Sequence, residues 1–242
     1  MVDGFLLEVC DAISGHPLYK IRSSRGVNER VKNLIFGSTG PKPEIILSDS
    51  ISNDIQIVKN AEYCLIYDLP IPQTGLLWKD LVSWWKHFTR EDLTDIGIER
   101  NLFERLKKSL NSPPERLFFY NYFRLFRSVL KDNLPALIPQ VYLHYDPYTM
   151  KQLQSSKRIP RQRMDFLILF SNYERIIIEI DGRQHYSDGE ISSPAKYAEM
   201  ASEDRKLRLN GYEVYRFGGR RIKRIFCYGD CQRILCGALS KT

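Results

Sequence analysis

Asp165 interrupts the apolar run from Met164 to Phe170, and Glu179 interrupts the run from Ile176 to Ile180. Asp181 follows at once, with Gln184 and His185 just beyond it in Ile178-Glu179-Ile180-Asp181-Gly182-Arg183-Gln184-His185. Short continuous apolar runs bounded by turn residues predict strands covered on both faces. A carboxylate on such a strand is costly unless it is paired or holds a metal. If the runs pair symmetrically about Asn172, Asp165 stands opposite Glu179, and a two-residue step puts Asp181 on the same face. Like charges facing each other destabilise a sheet. A divalent cation resolves that conflict, and ligands that are all oxygen select Mg2+ or Mn2+ over zinc. The competing reading pairs the acids with Arg161, Arg163, Arg183 or Arg205. A one-residue slip in register would also move one acid to the other face.

The elements that must position these side chains are partly legible. Ser171-Asn172-Tyr173 is a plausible hairpin loop. Ser112-Pro113-Pro114-Glu115 opens a helix that continues with Leu117, Phe118, Tyr120 and Phe123. Gln140-Val141-Tyr142-Leu143-His144-Tyr145-Asp146 alternates until Pro147 and reads as a strand, with His144 and Asp146 either reaching the site or finishing the strand. Further upstream, residues 3–14 and 27–36 read as short amphipathic helices, and Pro43 to Ser48 and Glu62 to Tyr67 as strands. Leu76 to Phe88 reads as a helix with Leu76, Leu77, Leu81, Trp84 and Trp85 near one stripe, and another helix is expected around Leu102 to Leu110. Residues 89–97 form the soft boundary of a two-part chain, 1–95 and 96–242.

Net charge is +7 over 242 residues, with a pI near 9.1, which suits a polyanionic partner. The positive charge clusters. Lys151, Lys157, Arg158, Arg161 and Arg163 form one run, and Arg216, Arg220, Arg221, Lys223 and Arg224 form another, both flanking the acids. Each run reads either as a solvated surface or as a grip on a phosphate backbone. Hydrophobic content of 43% and charged content of 27% are ordinary for a globular protein. No apolar run approaches the ~20 residues of a membrane helix, and the start lacks the basic-then-apolar pattern of a secretion signal. The five cysteines lack paired zinc-ribbon spacing and fit free thiols, so a cytoplasmic location is expected.

The ordered combination of Asp165, then Glu179-Ile180-Asp181-Gly182-Arg183-Gln184-His185, then Asp204-Arg205, then Gly211-Tyr212-Glu213-Val214-Tyr215-Arg216-Phe217 resembles the Vsr-like branch of the PD-(D/E)XK nuclease superfamily. Glu115 on the first core helix belongs to the same pattern, and the resemblance covers roughly 112–220. It implies an α/β (α+β) fold, a restriction-endonuclease-like mixed sheet flanked by helices. Behind it, residues 33–85, with Asn33-Leu34-Ile35-Phe36, Lys42-Pro43-Glu44-Ile45, Ala61-Glu62-Tyr63-Cys64-Leu65-Ile66-Tyr67-Asp68 and Leu81-Val82-Ser83-Trp84-Trp85, resemble a domain of AbiJ-type abortive-infection proteins. That resemblance implies a smaller mixed N-terminal domain with a sensing, regulatory or capping role, and a place in anti-phage defence.

What the resemblance implies for chemistry is a metal-dependent endonuclease, with DNA expected ahead of RNA. Asp165 and Glu179 would hold Mg2+ or Mn2+ with the Ile180 carbonyl, and Asp181 is expected as a further ligand or as the residue orienting His185. Glu115 either serves a second metal or water, or is a helix-start acid favoured by the dipole. The pattern's Lys is missing, since Asp181 stands in its place; Gln184 or His185 would take up its position near the attacking water. Arg161, Arg163, Arg205, Arg216, Arg220, Arg221, Lys223 and Arg224 are the expected nucleic-acid contacts. The alternatives are a nucleic-acid-binding module that has lost full chemistry, or a sensor or scaffold whose N-terminal domain recruits a protein partner or a second copy.

Overall fold

The computed structural model describes residues 5–13, 16–23, 34–41, 43–49, 54–72, 75–89, 93–142, 163–170, 174–182, 187–188, 191–219 and 222. β1 (Phe5–Ile13) and β2 (His16–Ser23) form a hairpin, followed by β3 (Leu34–Phe36) and the hairpin of β4 (Glu44–Asp49) and β5 (Asp54–Lys59). A 3-10 turn at Ala61–Tyr63 leads into β6 (Leu65–Tyr67). Three helices follow: α1 (Trp78–Thr89), α2 (Asp95–Lys107) and α3 (Pro113–Leu130). Then come β7 (Ile138–Tyr142), β8 (Arg163–Leu169), β9 (Arg175–Asp181), the short β10 (Ser187–Asp188) and β11 (Ile191–Ser192), α4 (Pro194–Leu209) and β12 (Tyr212–Gly218).

Six strands make one mixed sheet in the order β12-β9-β8-β7-β3-β6. β12 runs parallel to β9, and every other neighbouring pair is antiparallel. The chain is therefore mixed α/β. β8 and β9 lie inside the sheet and are buried along nearly their whole length, as their continuous apolar runs predict. The hairpin closes with the Phe170 N–H donating to the Glu174 carbonyl at 3.0 Å.

α3 covers one face. Ser112 caps it by accepting the Glu115 N–H, and Pro113 and Pro114 occupy its first turn, where no N–H is needed. Phe118, Phe119, Tyr122, Phe123 and Phe126 recur on its inner side. The Phe118 ring sits 5.3 Å from Phe166 of β8 and 6.0 Å from Phe217 of β12. Burying each such side chain contributes about 1.5–3 kcal/mol. One apolar core runs from Leu34, Phe36, Leu65 and Tyr67 through the helices to Ile177 and Val214, so β3 and β6 extend the sheet that carries the acids.

α1 buries Trp78, Leu81, Trp84 and Trp85, as its stripe predicts. Its indole N–H groups reach Glu99, Asp68 and Asn101, which ties α1 to α2 and to the segment after β6. The lead-in to α1 lies against the end of β8: the Leu76 N–H donates to the Leu169 carbonyl at 3.0 Å. Gly75 has φ +89, and a Cβ there would run into that same Leu169 carbonyl and the Phe170 backbone. Gly75→Ala is therefore expected to destabilise the protein by about 2–4 kcal/mol, a clash added to a left-handed backbone, read as a lowered urea midpoint.

The upstream expectations fare unevenly. The helix expected over 3–14 is a strand, Phe5–Ile13, with Glu8 level with Lys20 of β2 and Leu7 level with Ile21. Short apolar runs fit both periods, and the partner strand decides. Of 27–36, Leu34–Phe36 is a strand and 27–33 lies outside the described residues. In Glu62 to Tyr67 only Leu65–Tyr67 is extended, after the 3-10 turn. The helix expected near Leu102 to Leu110 starts earlier, capped by the Thr94 side chain, and ends at Lys107. Among the described residues no helix is long and apolar enough to cross a membrane.

Candidate functional site

The β8–β9 ladder runs Leu169↔Arg175, Ile168↔Ile176, Leu167↔Ile177, Phe166↔Ile178, so its next step sets Asp165 opposite Glu179. On the far side of β9, Arg216 of β12 is level with Glu179. On the near side of β8, Pro139↔Phe166 and Val141↔Met164 bracket Gln140, which stands level with Asp165. Four polar residues, Gln140, Asp165, Glu179 and Arg216, thus form one rung across four largely apolar strands. Phe166 and Phe217 meet α3, so by alternation Asp165, Glu179 and Arg216 face the other side of the sheet. There Arg216 meets Asp204 of α4.

The acid pair is held under strain. Asp165 Oδ2 accepts the Ile180 N–H at 2.8 Å. Burial pushes the Asp165 carboxyl up to about 7, against the Ile180 N–H; the charges of Glu115 and Asp181 push the same way as burial, and Arg163 opposes them. Glu179 is 8% exposed, and its Oε1 is buried with no hydrogen-bond partner among the described residues. Burial first, then the charge of Asp165, holds the Glu179 carboxyl well above the usual range, with Arg216 opposing. An orphaned carboxylate oxygen beside a second acid fits a hard cation, because a divalent ion would satisfy Oε1 and offset both charges. Asp165 and Glu179 are the residues that would hold it. Among the described residues there is no group of three or more His, Cys, Asp or Glu side chains arranged to hold a metal ion.

Asp181 has another partner. Arg216 Nη1 donates to its Oδ1 at 2.8 Å, while Nε and Nη2 of the same guanidinium fork onto Asp204 at 2.8–3.0 Å. Burial acts to lower the Arg216 pKa, but the hydrogen bonds to Asp204 and the charges of Asp181, Glu179 and Asp204 raise it overall. The two-residue step does put Asp181 on the face of Glu179, and the guanidinium claims it there. Asp181→Asn is accordingly expected to change Mn2+ affinity by less than about threefold, against the 10–100-fold typical of disturbed metal sites. Isothermal titration of Mn2+ measures this, and a larger loss would restore Asp181 to the ligand set.

Glu115 is 5% exposed and serves as a cap. Its carboxylate accepts from Ser112 Oγ at 2.6 Å, the Asn111 N–H at 3.0 Å and Gln140 Nε2 at 2.8 Å. It is a helix-start acid, as one of the two expectations had it, and its charge is also felt at Asp165. Arg163 is partly buried in β8, where its charge counters that of Asp165. Arg205 is exposed on α4. Gln184, His185, His144, Asp146, Arg161, Arg183, Arg220, Arg221, Lys223 and Arg224 lie outside the described residues. The sequence reading passed over two residues that shape the site, Gln140 and Asp204. Asp204 was visible only as part of the Asp204-Arg205 pair, and nothing local marks it as the seat of Arg216. No protein-family model, no curated protein and no solved structure matches this chain.

Proposed function

We propose that this chain is a divalent-metal-dependent nuclease on a restriction-endonuclease-like fold, with Asp165 and Glu179 at its centre. The observation that carries the reading is the orphaned Glu179 oxygen beside Asp165 on one buried rung. The order of elements supports it: a helix with Glu115, a strand with Asp165, a strand with Glu179, a helix with Asp204-Arg205 and a strand with Arg216 follow one another as in the resemblance.

A bound Mg2+ or Mn2+ would supply a water of lowered pKa and a Lewis acid for a phosphoryl oxygen. The chain's own residues do the rest. Asp165, whose Oδ2 accepts the Ile180 N–H, would be one ligand of the ion. Glu179 brings Oε1, and the Ile180 carbonyl is the third ligand that the resemblance implies. Arg216 removes Asp181 from the set and limits the negative charge of the site to what one ion can offset. By the resemblance, Gln184 or His185 would take the place of the missing Lys near the attacking water. The net charge of +7 suits a polyanion, and Arg205, exposed on the α4 side, supports phosphate contact there. DNA is the preferred substrate. The cytoplasmic location, the action in defence and a protein partner or second copy at the N-terminal part are proposed on the two resemblances.

A second reading has its own observation. Among the described residues the acids form no ready group of three, and the pattern's Lys is replaced by an Asp bound to Arg216. That favours a nucleic-acid-binding module with weakened chemistry. The deciding experiment incubates the full chain with plasmid, linear duplex, single-stranded DNA and RNA, with and without Mn2+, beside a thermal-shift titration of the ion. Metal-dependent cleavage supports the nuclease. Binding of nucleic acid without cleavage or metal shift supports the second reading.

A further inference from the structure

Gln140 is fully buried and adopts φ +54 in the middle of β7, flanked by Pro139. A side chain other than Gly in that conformation costs free energy, and such strain concentrates where function holds it. The β7–β8 register gives Gln140 no backbone pair, although it is level with Asp165. Its amide instead bridges to the start of α3, where Nε2 donates to Glu115 Oε2 at 2.8 Å.

The helix cap does not require this bridge. Ser112 Oγ and the Asn111 N–H already hold Glu115 from within the helix start. Among the described residues the Gln140 bond is the one that comes from the sheet, and it comes from the rung of the acid pair. It fixes where the Glu115 charge stands relative to Asp165, which feels that charge.

We infer that Gln140 is a positioning residue: through its bond to Glu115 it fixes that carboxylate at the start of α3, within electrostatic reach of Asp165, where the negative charge strengthens the hold on a divalent cation. The inference rests on the metal-centre reading above. Glu115 acts from outside the ligand set, through the field and through water. Without the Gln140 bond its carboxylate loses the one anchor tied to the strands, and the ion loses a fixed counter-charge.

The test is isothermal titration of Mn2+ into the full chain and its variants, with melting temperatures measured in chelator. Gln140→Met keeps the volume and removes the amide. Gln140→Gly also removes the amide but suits φ +54, so it separates side chain from backbone strain. Both variants are expected to bind Mn2+ about tenfold more weakly. In a Glu115→Gln background, Gln140→Met is expected to add no further loss, since the two act as one unit. A merely structural Gln140 would lower the melting temperature and leave affinity unmoved in both variants, and that result overturns the proposal while the metal centre stands. A wild-type chain that binds no Mn2+ overturns both.

Discussion

Glu179→Gln is expected to raise the melting temperature of the metal-free protein at pH 8 while abolishing metal-dependent cleavage, and Asp165→Asn to do the same. Each variant keeps the shape of the side chain and removes a charge the fold compensates only in part. Asn at 165 can still accept the Ile180 N–H, and Gln at 179 gives its oxygen no new obligation. For Asp165 the ordinary 3.8 rises to about 7, a difference on the order of 4 kcal/mol before local relaxation. If half is recovered, the melting temperature rises by about 4–8 °C, at 2–4 °C per kcal/mol for a chain of this size. The pH dependence has a fixed sign. Between pH 4 and 7 the folded chain keeps a proton on Asp165 that the unfolded chain has released, so stability falls as pH rises through that window and levels off above it. The gain from Asp165→Asn is therefore large at pH 8 and nearly absent at pH 4. Cleavage, in contrast, is lost at every pH. The Asp165→Asn, Glu179→Gln double variant should lose no more than either single one, because both act through one ion. Differential scanning fluorimetry in chelator at pH 4, 6 and 8, beside a cleavage assay, measures all of this. A variant that melts lower than wild type at every pH would mean the carboxylates are stabilising, and full turnover would sink the site.

The acid pair was legible because its information is local. Met164 to Phe170 and Ile176 to Ile180 are apolar enough to demand burial, and the few residues between them leave little choice of register. The ladder through Phe166↔Ile178 is the one that symmetry about Asn172 predicts. Glu115 was legible as a helix start for a similar reason, since Ser112-Pro113-Pro114 fixes the cap. The fate of Asp181 was not, because its partner Arg216 lies 35 residues on and arrives through the parallel pairing of β12 with β9. Spacing alone put Asp181 on the face of Glu179, and it gave no sign of the long-range guanidinium that binds it there. Gln140 was hidden differently: its run alternates like an ordinary strand, and nothing in Pro139-Gln140-Val141 announces a left-handed residue. β1 and β2 show the same limit, since the choice between helix and strand for Phe5–Ile13 depends on a partner the local pattern does not name.

Arg216→Leu is expected to destabilise the protein by about 3–5 kcal/mol, the usual cost of stranding a partner of a buried ion pair, or about 6–20 °C in melting temperature. The argument lies in what one guanidinium does. Its Nε and Nη2 fork onto Asp204, its Nη1 holds Asp181, and its charge counters Glu179. The side chains of Arg216 and Asp181 are only 18% and 11% exposed, so water does not take over when the Arg goes. Arg216→Lys is expected to recover part of the loss, because an ammonium can offset charge but cannot reach both carboxylates with a planar fork. Arg216→Leu combined with Asp204→Leu should be more stable than Arg216→Leu alone, since it removes a stranded charge along with its partner. The same substitution frees Asp181, so Mn2+ should raise the melting temperature of Arg216→Leu by more than it raises that of wild type. Chemical denaturation of the four proteins, with and without Mn2+, tests these together. An Arg216→Leu chain within about 1 kcal/mol of wild type would show that the pair behaves as a screened surface contact, and an unchanged metal shift would show that Asp181, even released, does not reach the ion.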